Sequence, residues 1–196
     1  MQRNSSLFAT PRAGILLVAL AAVARAAGQD QSFFFQVTNP VSLEQPVTEV
    51  EVWASFDPAY YSFALAHFAI ESPADDGTFF DPRFPKPFLG DEGYIPPGGD
   101  SVAGIRAQQF QWIGVDSDTA NPIKIWSCSW TTEDFTPRQL DLSLLATQFW
   151  VYLDPSGQGL QVEFVPDALG FINIVPAPAT GAVAMLASTI ALRRRR

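Results

Sequence analysis

The central part of this chain predicts an all-β fold: an antiparallel β-sandwich of immunoglobulin-like or jelly-roll type. Three observations predict it. Short apolar stretches alternate with polar residues at period two. Turn chemistry separates them at intervals of roughly ten residues. No stretch carries the 3.6-residue apolar period of an amphipathic helix. With 47% apolar residues in 196, the chain can build one substantial core.

The elements follow in order. Residues 32–37 (SFFFQV) form a short apolar strand that stops at Asn39-Pro40. Val50, Val52, Ala54 and Phe56 alternate with Glu49, Glu51 and Ser55, the pattern of a half-buried strand. Asp57-Pro58 marks a turn, and residues 60–70 follow, apolar on both faces. Residues 105–112 and 123–131 (IKIWSCSWT) read as strands, the second opened by Pro122. Residues 140–144 and 149–153 (FWVYL) read as two more, closed by Asp154-Pro155-Ser156-Gly157. Leu160, Val162 and Phe164 alternate with Gln161 and Glu163, and residues 169–174 form the last strand. Eight or nine strands result. Residues 72–101 stand apart, with six prolines and five glycines. They predict a long surface loop packed by Phe79, Phe80, Phe84 and Phe88, or an insertion.

Both ends are different in kind. Arg3 and Arg12 precede an eleven-residue apolar run, 14–24, which suits a secretion signal and is too short to span a bilayer. Ala24 and Ala26 place small residues where signal peptidase reads, so cleavage is expected after Ala26, with Ala27 the rival; a buried N-terminal helix is the alternative. At the other end, Val175, Pro176, Ala177, Pro178 and Ala179 precede a twelve-residue apolar run, 181–192, and then Arg193, Arg194, Arg195 and Arg196. The prolines keep the segment before the run extended. The arginines resist translocation and hold the end on the cytoplasmic side. Both ends therefore place the central domain outside. The organisation expected is a signal peptide (1–26), a sandwich (27–174) and a sorting tail (175–196).

Motif, apolar run and arginine cluster together resemble the tripartite tail of PEP-CTERM exported proteins, in the Val-Pro-x-Pro-Ala form. The resemblance covers about the last 22 residues. It implies processing by an exosortase-like sorting protease at the motif. The chain departs from the name-giving motif at Ala177, where that motif has Glu. A plain tail anchor is the alternative. The valine-rich strand running through Phe56-Asp57-Pro58 into an aromatic strand resembles cohesin-like sandwiches. The run 104–110, then Asn121-Pro122-Ile123, Trp126, Phe149 and Val151-Tyr152, resembles an uncharacterised exported domain found ahead of such tails, which implies no activity.

Between the expected cuts, five cations (Arg83, Lys86, Arg106, Lys124 and Arg138) stand against twenty carboxylates, a net charge of −15. Such a domain repels nucleic acid, which needs a basic footprint. Membrane contact is expected only through the terminal segments.

Catalytic chemistry finds little to work with. His67 is the sole histidine, so any Ser-His-Asp or Cys-His site must use it, and no Gly-x-Ser-x-Gly elbow exists. Cys128 lies on an apolar strand, where its neighbours at 124, 126 and 130 predict one shared face and burial. Asp116, Ser117, Asp118 and Asn121 could offer oxygens to calcium, but position five is Ala120 and no glycine follows, so a solvated turn is preferred. Asp75-Asp76-Gly77 reads as a turn in the same way. Trp126 and Trp130, four apart, are about 13 Å from each other on one strand face. Buried, they are core; exposed, they could stack on sugars or another chain, and core is preferred. No cofactor, metal site or catalytic residue is assigned. The function expected is an exported envelope or matrix protein with a non-enzymatic structural or adhesive role. A carbohydrate-binding module, with or without calcium and with extracellular polysaccharide as partner, is the alternative. A glycoside hydrolase ranks third.

Overall fold

The computed structural model describes residues 31–73, 76–111 and 116–176. Ten strands run through them: β1 (Ser32–Val37), β2 (Val47–Ser55), β3 (Ser62–Glu71), β4 (Thr78–Arg83), β5 (Leu89–Asp91), β6 (Ser101–Gln108), β7 (Ile123–Thr131), β8 (Arg138–Tyr152), β9 (Gly159–Gln161) and β10 (Asp167–Ile174). They form two antiparallel sheets, β1-β2-β7-β4 and β10-β8-β3-β6-β5, with β9 beside β8. The chain crosses between the sheets repeatedly, from β2 to β3, β3 to β4, β4 to β5, β6 to β7 and β7 to β8, as in a jelly roll. Among the described residues no helix is long and apolar enough to cross a membrane.

Alternation builds the core. From β2 come Val50, Val52 and Ala54; from β3, Phe63, Ala66, Phe68 and Ile70; from β8, Leu140, Leu142, Leu144, Phe149 and Val151, all buried between the sheets. Residues 60–70 are thus not apolar on both faces in effect: Leu65, His67 and Ala69 point outward and stay partly accessible. Trp126, Cys128 and Trp130 of β7 are fully buried, in the core as the sequence predicts.

Lys124 departs from that face. Opposite β2, Val52 pairs with Trp126 but Trp53 pairs with Lys124, so Ile125 is an extra residue in β7. This bulge reverses the parity of the strand. Lys124 therefore leaves the face of Cys128 and meets Glu51 on the outer surface at 2.9 Å. The same device joins two expected strands into one. In β8, Thr147 is extra between the pairs His67–Gln148 and Phe68–Ala146. The alternation breaks there while the strand continues for fifteen residues, with β10 along its first half and β9 along its end.

Residues 72–101, expected as one long loop, contain two strands. β4 pairs with β7 as a sheet edge and β5 pairs with β6. Pro82 is tolerated because the edge strand is irregular between Phe80 and Arg83. Phe79 and Phe88 enter the core, Phe84 packs against it, and Phe80 remains exposed.

The ends of the fold are tied. The Val165 amide donates to Gln31 O at 2.8 Å, and the Val175 amide donates to Val41 O at 2.8 Å. Val175 and Pro176 are the first residues of the proposed sorting motif and close the described fold. Ala24, Ala26, Ala177, Pro178, Ala179 and Arg193 to Arg196 lie outside the described residues, as does Trp112.

Candidate functional site

The two outer faces differ in chemistry. On the first sheet, Lys124 pairs with Glu51, and Arg83 pairs with Glu49 at 2.9 Å and Asp81 at 2.6 Å. Trp53 donates its indole N–H to Glu51 at 2.9 Å and stacks on Phe34, with ring centroids 6.2 Å apart. Its charged groups largely satisfy one another.

The outer face of the second sheet is built otherwise. Leu145 of β8 and Leu169 and Phe171 of β10 project from it, exposed by 58%, 81% and 53%. Register places Leu169 beside Ser143, and Asp167 beside Leu145. Next to them lies a groove of about 640 Å³ lined by His67, Ala69, Asp91, Arg106, Leu145 and Thr147, with Gly90 and Gly104 at its walls.

Two bulges shape this groove. Thr147 is the extra residue of β8 on one side of β3, and an extra residue of β6, beside Ala69, lies on the other. Gly104 supplies the positive φ (71°) that the β6 bulge needs, and a side chain there would meet open space. At Gly90, also at positive φ (137°), a Cβ would lie 1.8 Å from Arg106 O, so β5 can approach β6 only without a side chain.

His67 faces Arg106 directly across β3 and β6. Its Nε2 is buried without a hydrogen-bond partner. Burial, and secondarily the Arg106 guanidinium, hold its pKa below the ordinary histidine value. Arg106 itself makes no ion pair among the described residues, in contrast to Arg83, Lys124 and Arg138. Asp91, its cross-strand neighbour, turns its carboxylate to the Gly93 amide at 3.0 Å.

The other sequence candidates are engaged in structure. The Cys128 thiol is buried and its pKa is pushed far up by desolvation, which removes it as a nucleophile at neutral pH. Ser117 is buried, 2.7 Å from the Ser62 hydroxyl, and donates to Gln111. Asp118 caps its own turn by accepting from the Ala120 amide at 2.9 Å, and Asn121 grips the backbone of Phe56. These groups face different partners and do not converge. Asp76 is paired to Arg138 at 3.1 Å, while Asp75 lies outside the described residues. Among the described residues, no three His, Cys, Asp or Glu side chains are grouped to hold a metal ion. Arg106 is the functional candidate that residue-by-residue reading passed over. Its signal was Gly104 two positions away, since a glycine inside a strand marks a bulge.

No protein-family model matches the chain, and no curated protein matches it. Solved structures do resemble it. A cohesin module from Clostridium perfringens ATCC13124 family 33 glycoside hydrolase superposes with a TM-score of 0.52 at 10% identity, over 76% of this chain and 100% of the module. The seventh ScaB type I cohesin from Pseudobacteroides cellulosolvens gives 0.52 at 9% identity, over 76% of this chain and 95% of its own. The fold is therefore a cohesin-like β-sandwich, and at these identities the likeness concerns fold alone.

Proposed function

We propose that this chain is an exported, non-enzymatic binding module that docks a partner protein on the outer face of its second sheet. One observation carries the reading: Leu145, Leu169 and Phe171 expose a run of apolar surface there, beside a shaped groove, while the opposite face closes its charges among themselves. Apolar side chains clustered beside polar ones are the anatomy of a recognition surface. The cohesin-like fold supports the same reading by analogy only. Export rests on the two terminal signals. Signal peptidase acts after Ala26, and an exosortase-like protease acts near Val175 to Ala179, leaving the domain in the envelope or outside the cell.

A photo-crosslinking amino acid tests the docking face in the native host. Placed at Leu145 or Leu169, it should give one discrete protein adduct, and placed at Phe34 none. Adducts from Phe34 alone, or from neither face, would overturn the reading.

The carbohydrate-binding alternative keeps one specific support, the stacked Phe34–Trp53 pair on the first sheet. It loses Trp126 and Trp130, which are core. Retention of the chain on immobilised polysaccharide, abolished by Phe34→Ala, would favour it.

A further inference from the structure

The outer face of the second sheet carries its exposed apolar side chains as one oblique stripe. Leu169 and Phe171 follow each other on β10, and Leu145 stands on β8 opposite Asp167, two residues before Leu169. Alternate residues of a strand lie about 7 Å apart and neighbouring strands about 5 Å, so the three side chains adjoin. A carboxylate stands at each end of the stripe: Asp141 opposite Phe171, and Asp167 opposite Leu145. Glu71 of β3 flanks the middle, beside Ser143, which itself stands beside Leu169. All three acids are exposed, and none has an ion pair among the described residues. Asp141 accepts from Gln139 Nε2 at 3.5 Å, a neutral donor. On the first sheet, by contrast, Glu49, Glu51 and Asp81 are each matched by a cation. The apolar stripe thus bears unmatched negative charge along its rim.

We infer that the partner docked on this face is a cationic polypeptide segment, whose apolar side chains cover Leu145, Leu169 and Phe171 and whose flanking lysines or arginines reach Asp141 and Asp167. This rests on the protein-docking reading above and gives the partner its chemistry. Charge complementarity selects the occupant. A second copy of the chain is disfavoured, because a two-fold contact sets a patch against itself and would bring Asp141 and Asp167 against their own counterparts. The −15 charge of the domain adds to that repulsion. Anionic lipid and acidic polysaccharide are repelled for the same reason. The apolar stripe supplies contact area that excludes water, and the acids at its ends supply steering and register. The cations of this sheet do not satisfy them: Arg138 is held by Asp76 and Asp134, and Arg106 lies on β6, two strands beyond β8.

The test titrates the full chain, labelled for NMR, with three capped peptides: acetyl-Lys-Leu-Phe-Leu-Lys-amide, its twin with glutamate at both ends, and its twin with serines in the middle. The first should shift the backbone signals of β8 and β10 around Asp141, Leu145, Leu169 and Phe171 saturably. Neither twin should. Phe171→Ala should weaken the first peptide by about tenfold, as loss of an apolar anchor does. Asp141→Asn with Asp167→Asn should weaken it by roughly three- to tenfold, the worth of two exposed ion pairs. Glu44→Gln with Glu133→Gln removes the same charge from exposed loop positions and should leave binding unchanged. Equal binding of the glutamate twin would overturn the inference. So would an equal loss from the two double variants, which would make the attraction one of net charge. A dimer in sedimentation that Leu169→Ala abolishes would assign the face to a second copy instead. If crosslinks form at Leu169 in the native host but the captured segment is neutral or acidic, the cationic partner fails while the docking face stands.

Discussion

Gln109 holds Asp118 from both sides: its Oε1 accepts the Asp118 amide at 2.9 Å and its Nε2 donates to the Asp118 carbonyl at 2.9 Å. The same Nε2 donates to Phe63 O at 2.6 Å, so one buried side chain joins β3 to the segment that leads into β7. Gln111 repeats the device two residues on, accepting from Ser117 N at 2.7 Å and donating to Pro155 O at 3.0 Å. Tyr152 adds a hydrogen bond to Gln109 O at 3.0 Å. Without these amides the backbone at this end of the sandwich would be buried unsatisfied.

Gln109→Ala should therefore cost about 3 kcal/mol, the usual loss when buried backbone groups are left without partners. For a domain of this size that is a fall in melting temperature of roughly 6–12 °C. Thermal unfolding of the variant checks it. A change within about 0.5 kcal/mol, typical of surface substitutions, would show that water replaces the clasp.

Gly170 is the second pressure point. A Cβ built there would lie 2.6 Å from Phe35, whose ring covers this part of β10 from the other sheet. Gly170→Ala should destabilise by about 1–3 kcal/mol through overpacking. Phe35→Ala in the same chain should recover part of that loss, because the two sites touch. Additive costs in a double-mutant cycle would refute the contact.

Much of this was legible in the sequence. Residues 32–37 and 123–131 were delimited by apolar content and turn residues, and the structure matches both spans. Period two suffices where the strand itself carries no inserted residue, as in β2, which alternates along its whole length. It failed at bulges, because one inserted residue flips every later side chain. That is why period two alone puts Lys124 on the face of Cys128, and why residues 140–144 and 149–153 read as two strands where one strand runs Arg138–Tyr152. β4 and β5 were hidden by proline and glycine, which sheet edges tolerate and sheet centres do not. The groove was the least legible part. His67 and Arg106 are 39 positions apart, and only the β3–β6 register brings them together.

Cys128 should be silent toward a thiol reagent such as DTNB in the native state and react once per chain on unfolding. Its thiol is wholly buried between the sheets, and desolvation keeps it protonated. The folded pKa lies above the ordinary value of 9.0, so above that pH the unfolded chain loses a proton that the folded chain retains. Stability should then fall as pH rises beyond about 9, and Cys128→Ser or Cys128→Ala should remove that slope. Native labelling at the rate of the unfolded chain would contradict the burial.

His67 acts at the opposite end of the scale. Its folded pKa is lowered by burial and by Arg106, so the unfolded chain binds a proton first as pH falls below the ordinary value of 6.5. The folded state is then penalised from there down to the folded pKa, and not above 6.5. His67→Gln should flatten this part of the stability–pH curve, and Arg106→Gln should reduce it in part. Chemical denaturation between pH 5 and 7.5 measures both. An unchanged slope in His67→Gln would mean that carboxylates elsewhere set the acid response.

The ends of the fold bear on processing. Gln31 holds Val165, and Val41 hydrogen-bonds both to Asn173 O and to the Val175 amide, each at 2.8 Å, so the described fold is tied at residues 31 and 175. A cut after Ala26 removes nothing from it, and neither does a cut beyond Pro176. Cleavage before Val175 would release the Val41 acceptor and loosen the end of β10. Intact mass of the protein recovered from envelope and medium of the native host should therefore match a chain from Ala27 to near Pro178. A mass that still includes Arg193 to Arg196 would eliminate sorting at the motif and make the domain membrane-anchored. A product ending before Val175 that melted at the same temperature would show that the Val41 tie is dispensable. A product ending at the motif would place the docking face, and Leu169 and Phe171 with it, on a domain free to leave the membrane.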